Sequence, residues 1–168
     1  MNEVDNILSK ISNNQVDLYN QILFLKRLIE QHRVNSVFIN YSNEGFLCNY
    51  VKSKISKITF NSIDDKHYKE FGSFSKVKYV NKKLENIMIQ DYDMYHWDSS
   101  QNFTDWCEFV RRMLRLPPKF IILSNTKINV KQTACILNCI FKKKYEIIKM
   151  FDDYFGCVVL KLNGRFFL

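Results

Sequence analysis

The chain has 168 residues, 46% of them hydrophobic and 15% aromatic, a composition that excludes a disordered tract and suffices for one folded core without disulfides or a structural metal. Lys and Arg number 25 against 17 Asp and Glu, a formal charge of +8, so the expected partners are anionic: nucleic acid or a phosphorylated substrate. No apolar run reaches transmembrane length, the first residues are polar and acidic, and the five cysteines are odd in number and lie mostly in apolar runs; a cytoplasmic, reducing setting without membrane contact is expected.

Residues 5–33 read as a leading helix, with Ile7, Leu8, Ile11, Leu18, Ile22, Leu25 and Ile29 at three- and four-residue steps. Val34 to Asn40 switches to a β-branched and aromatic run that ends in the polar cluster Tyr41 to Gly45, a strand followed by a loop. Phe46, Leu47, Tyr50 and Val51 give a second helix, and Lys57 to Ile63 a second strand closed by Asp64 and Asp65. A short helix over 66–71 and strands over 76–80 and 91–97 follow. Phe103, Trp106, Phe109, Val110, Met113 and Leu114 form a helical stripe, with Arg111, Arg112 and Arg115 read as its solvated polar side, and Pro117-Pro118 ends it before the strand Lys119 to Leu123. A helix over 129–143 and two strands, 145–151 and 156–162, joined by a tight turn, complete the chain.

Strands alternating with helices define an α/β domain. The expected architecture is three-layered and Rossmann-like: a mostly parallel sheet with helices on both faces and a C-terminal antiparallel β-hairpin. All of 1–168 is expected in one domain, with 5–33 as its leading helix and 34–168 as its core.

This order of elements, with Asn40 to Gly45 after the first strand and Asp64 after the second, resembles the class I S-adenosylmethionine-dependent methyltransferases over nearly the whole chain. In that family the first strand ends in an acid and a glycine-rich loop that lets the backbone approach the cofactor. Here Asn40 stands at the acidic position, Gly45 is the glycine that remains, and Tyr41 and Asn43 put side chains where the family has bare backbone. The resemblance implies S-adenosylmethionine as cofactor, with Asn40, Ser42 and Gly45 beneath it, Asp64 accepting from the ribose hydroxyls and Asn81 near the adenine. It further places His96 and Asp98, at the end of the fourth strand, facing the acceptor as base and orienting group; strand alternation offers buried positions for His96 as an alternative.

Three functions remain open at this level: an active methyltransferase acting on RNA or another anionic acceptor, a non-catalytic relative kept as a scaffold for protein or nucleic acid, and a different Rossmann-like enzyme that handles a nucleotide-sugar or phosphate ligand. Cys135 and Cys139 lie four apart on a helix but without further ligands, so they read as core and no metal site is expected. The phosphate-binding, zinc-protease and serine-hydrolase signatures are absent from the sequence.

Overall fold

The computed structural model describes residues 16–41, 44–62, 74–88, 90–100, 103–141, 145–152 and 155–163. Within them α1 (Val16–His32), β1 (Ser36–Asn40), α2 (Glu44–Lys52), β2 (Lys57–Asn61), β3 (Val77–Val80), a 3-10 turn (Leu84–Asn86), β4 (Met94–Asp98), α3 (Phe103–Arg115), β5 (Phe120–Ser124), α4 (Val130–Phe141), β6 (Tyr145–Phe151) and β7 (Cys157–Leu162) follow in chain order. The short helix expected over 66–71 lies outside the described residues.

The helix ends are set by local chemistry. Arg33 takes the left-handed conformation (φ 49), and Val34 N–H reaches back to Ile29 O at 3.1 Å; this closes α1 as a Schellman cap. The Leu116 N–H still bonds Arg112 O at 2.9 Å, after which Pro117 and Pro118 have no N–H to continue α3.

The strands form one seven-stranded sheet in the order β3-β2-β1-β4-β5-β7-β6. β1 to β5 pair in parallel, and β7 runs antiparallel to both β5 and β6. The hairpin expected from the sequence is present, with its second arm lying between the first arm and β5. Alternation sends successive residues to opposite faces. Val37, Ile39, Ile58, Phe60, Ile122 and Val159 pack under α1 and α2 with Leu25, Ile29, Phe46 and Tyr50. On the other face Phe38, Tyr95, Trp97, Ile121, Leu123 and Leu160 meet Phe109, Met113, Ile136 and Ile140 of α3 and α4.

The β3–β4 connection differs from the crossovers made by α2 and α3. Its one described helical element is the turn Leu84–Asn86, so something other than a helix must hold it to the sheet. Arg112 does so. Its side chain is 2% exposed, its guanidinium donates to Leu84 O at 2.5 Å and to Ile87 O, and Nε lies 2.8 Å from Glu108 Oε1. Tyr92, from the same connection, donates to Thr59 Oγ1 on β2 at 2.8 Å. The sequence pattern put Arg112 on the solvated side with Arg111 and Arg115; the structure corrects this, because the buried guanidinium donates to two carbonyls of the connection that lie outside the sheet's ladder. The Cys135 reading is also corrected: Cys135 is exposed and Cys139 partly buried.

The turn between β6 and β7 carries a glycine requirement. Gly156 sits at φ 72, and a Cβ built there would lie 2.4 Å from Thr126 Oγ1. We expect Gly156→Ala to destabilise the protein by about 2 kcal/mol through left-handed strain and this clash, read as a lowered midpoint in urea. Thr126→Ala in the same chain should return part of the loss; a neutral Gly156→Ala would mean the turn relaxes freely.

Candidate functional site

In the order β3-β2-β1-β4-β5 the connections reverse direction between β1 and β4, and in such sheets ligands bind outside the carboxyl ends of the strands at that point. The last rung there is polar. Asn40 of β1 stands in register with Asn61 of β2 and with Trp97 of β4, on the face that carries α3. All three side chains are buried.

Their hydrogen bonds have a fixed direction. Asn61 Oδ1 accepts from Lys82 N–H at 3.4 Å, so Asn61 Nδ2 donates to Asn40 Oδ1 at 2.8 Å. That leaves Asn40 Nδ2 without an acceptor, and Trp97 Nε1, on the neighbouring strand, is likewise without one. Trp97 is held by Phe109, stacked at 4.6 Å between ring centroids. Ser99 Oγ, one residue past β4, is a third buried polar atom without a partner. Leaving such a group unsatisfied costs about 1–3 kcal/mol, so these three atoms near the carboxyl ends of β1 and β4 are positions where a water or a polar ligand gains a hydrogen bond.

Tyr41 follows β1 directly. It is left-handed (φ 57), pinned by its N–H to Asn61 O at 3.0 Å, and its partly buried phenol is pushed upward in pKa by burial and then by the charges of Asp105 and Tyr79. A bulky left-handed residue costs roughly 1–2 kcal/mol.

Asp98 lies at this edge, as its place at the end of β4 implied. Oδ1 accepts from Ser100 N–H (2.9 Å) and Ser100 Oγ (2.7 Å), and Oδ2 from Asn125 Nδ2 (2.9 Å). The carboxylate thus ties the loop after β4 to the loop after β5, where Asn125 is left-handed (φ 56).

His96 is placed elsewhere. It points into the face under α2, fully buried, between Phe46 and Tyr50 at 4.8 and 5.7 Å between centroids. Nδ1 lies 2.8 Å from Tyr50 Oη and Nε2 3.0 Å from Ser124 Oγ. Burial pushes the imidazole down to about 3 and raises the Tyr50 phenol. A protonated phenol donating to Nδ1 then fixes the proton of the neutral ring on Nε2, facing Ser124. An acceptor-facing base is therefore not what this position provides; β4 is buried on both faces, and alternation sends residue 96 into the core.

Of the other expected site residues, Asn81 is exposed just beyond β3, and Gly45 falls in the first turn of α2. Ser42 and Asp64 lie outside the described residues. Asn61 was missed in the sequence, and Trp97, which the pattern brings to the carboxyl edge with His96 and Asp98, was given no role; a polar residue at the end of an otherwise apolar strand is the signal that finds Asn61. Among the described residues no group of three or more His, Cys, Asp or Glu is placed to hold a metal, and no helix is long and apolar enough to cross a membrane.

No family model and no curated protein matches the sequence. Solved structures do match the fold. The methyltransferase domain of bacterial CtHen1 superposes with a TM-score of 0.64 at 12% identity, over 84% of this chain and 97% of that one. The N-methyltransferase NodS from Bradyrhizobium japonicum WM9, in complex with S-adenosyl-L-homocysteine, gives 0.63 at 9% identity over 88% and 86%. The Podospora anserina methyltransferase PaMTH1, bound to SAH, gives 0.56 at 11% identity over 85% and 78%. The chain has the Rossmann-like methyltransferase fold.

Proposed function

We propose that this chain is an S-adenosylmethionine-dependent methyltransferase, working in the cytoplasm on an anionic acceptor, RNA foremost. The observation that carries the reading is the pair of unsatisfied buried donors, Asn40 Nδ2 and Trp97 Nε1, on residues in register at the carboxyl end of the β1/β4 pair. A carboxylate satisfies two N–H donors at once, and the methionine end of the cofactor carries one. Asn40 in place of an acid changes what this position offers, from acceptor to donor, without removing its capacity to bind. A scaffold without a ligand would gain stability by making these positions apolar.

In the same reading Ser42 and Gly45 lie beneath the cofactor, Asp64 accepts from its ribose and Asn81 reaches its adenine. When bound, S-adenosylmethionine supplies a methyl group on a positively charged sulfur, which a nucleophile of the acceptor takes by in-line displacement while its proton leaves to solvent. The chain's own residues contribute mainly position. Asp98 fixes the two loops that face the acceptor; His96, neutral and buried, locks α2, β4 and β5 together through Tyr50 and Ser124.

Calorimetric titration with S-adenosylmethionine and S-adenosylhomocysteine tests this. Micromolar binding, about 8 kcal/mol, is expected, and Asp64→Ala should reduce it below detection while leaving the fold intact. A folded wild-type protein that binds neither compound overturns the proposal.

A further inference from the structure

The flank of the sheet that carries β2 and β3 has its own charge pattern. From Val51 to Ser62 and from Phe74 to Lys83 there is no acidic residue, whereas Lys52, Lys54, Lys57, Lys76, Lys78, Lys82 and Lys83 all fall there. Lys52, Lys54, Lys78, Lys82 and Lys83 are exposed, and none of the five is ion-paired. Elsewhere Arg111 and Arg112 pair with Glu108, Lys119 with Asp93 and Lys127 with Asp152, and cations without an ion pair there, among them Lys131, Lys149 and Lys161, are spread over α4, β6 and β7 and do not follow one strand.

These lysines are ordered in space. β3 is an outermost strand. Lys76 Nζ donates to Ser53 O at 2.8 Å, which sets the amino end of β3 beside the turn holding Lys52 and Lys54. Lys78 lies mid-strand. Lys82 and Lys83 follow its carboxyl end, and the Lys82 N–H bonds Asn61 in the polar rung itself. At the rise of an extended chain the distance from Lys76 to Lys83 is at most roughly 24 Å. Phe74 stands at the amino end of this line, 45% exposed.

Lysines on an edge strand also deter pairing with other chains. That accounts for Lys76 and Lys78, but not for the unpaired lysines in the turns at both ends, nor for an exposed aromatic ring among them. Unpaired cations in a line with an aromatic platform are the elements that bind single-stranded nucleic acid, phosphates on the lysines and a base on the ring. An anionic membrane would instead require a broad face with several apolar anchors.

We propose that this flank binds single-stranded nucleic acid and leads it to the carboxyl edge of the sheet. The binding stands on the lysine track alone; that the strand delivered there is the methyl acceptor rests on the function proposed above.

Fluorescence anisotropy with a labelled single-stranded RNA of about ten nucleotides tests it on the full chain. Lys54→Glu/Lys78→Glu/Lys83→Glu should weaken binding at least tenfold and flatten its salt dependence by about three charges. The charge-matched Lys131→Glu/Lys149→Glu/Lys161→Glu should weaken it no more than about threefold. Phe74→Ala should lower affinity for RNA without lowering affinity for phosphatidylserine vesicles. Equal losses in the two triple variants, no RNA binding by the wild type, or vesicle binding as tight as RNA binding would each overturn the proposal. S-adenosylhomocysteine titration of the first triple variant should match wild type. If RNA binds but S-adenosylhomocysteine does not, the track stands and methyl transfer fails.

Discussion

Arg112→Met is expected to cost about 3–5 kcal/mol of folding stability, the range found when one partner of a buried charge pair is removed. For a chain of this length that corresponds to a fall in Tm of roughly 10 °C. The reasoning is an accounting of partners. Arg112 and Glu108 are 2% and 11% exposed at the side chain, and the guanidinium also serves Leu84 O and Ile87 O. Burial works against the charge of Glu108, and bonds from Arg111 and Arg112 outweigh it and hold the carboxyl below its usual range. Methionine fills the space but removes the Nε–H from Glu108, which keeps its bonds from Arg111, leaves Leu84 O with the Ile87 N–H alone, and takes the guanidinium from Ile87 O. Glu108→Gln in the Met variant should therefore restore only part of the loss, because the carbonyls remain. Hydrogen exchange should show the segment 84–92 opening first. A cost below about 1 kcal/mol would show that water takes over these bonds, and that Arg112 does not hold the connection.

The second large effect is on acid stability. His96 has an unfolded value of 6.5 and a folded value of about 3. A folded-state value depressed below the unfolded one means the unfolded chain binds the extra proton, so stability falls as pH drops. The loss begins near 6.5, runs at about 1.4 kcal/mol per pH unit, and by pH 3 amounts to on the order of 4–5 kcal/mol. Denaturant unfolding of wild type and His96→Gln between pH 7 and 4 checks this. Glutamine can still meet Tyr50 and Ser124 but does not titrate, so its stability should fall less steeply. Parallel slopes would mean that His96 is protonated in the fold without penalty, or that carboxylates dominate the acid limb.

What the sequence revealed follows from what a linear pattern can carry. The seven strands and the helices α2, α3 and α4 were readable because each is a short apolar run or a helical stripe bounded by a polar cluster or by Pro117-Pro118, and the structure moves their boundaries by only a few residues. Arg112 escaped because it lies at the border of the stripe formed by Phe109 and Met113, where burial depends on which carbonyls stand opposite. The placement of β7 between β5 and β6 is long-range and leaves no mark on local periodicity. The positions of Asn40 and Asp98 at the ends of β1 and β4 were legible in the sequence. The unsatisfied state of Asn40 Nδ2 was not, since it depends on Asn61 and Lys82 fixing the direction of one amide.

The position of β7 has a consequence for how the protein is made. β7 supplies Cys157 and Val159 to one face of the sheet and Val158 and Leu160 to the other, and it is the element that joins β5 to β6. A nascent chain that has emerged only as far as Phe151 holds β5 with an open edge and two half-covered cores. Such an edge is a template for pairing with other chains. Folding therefore completes only after the ribosome has released Leu162, and during translation the newly made part depends on chaperones or on speed to stay single.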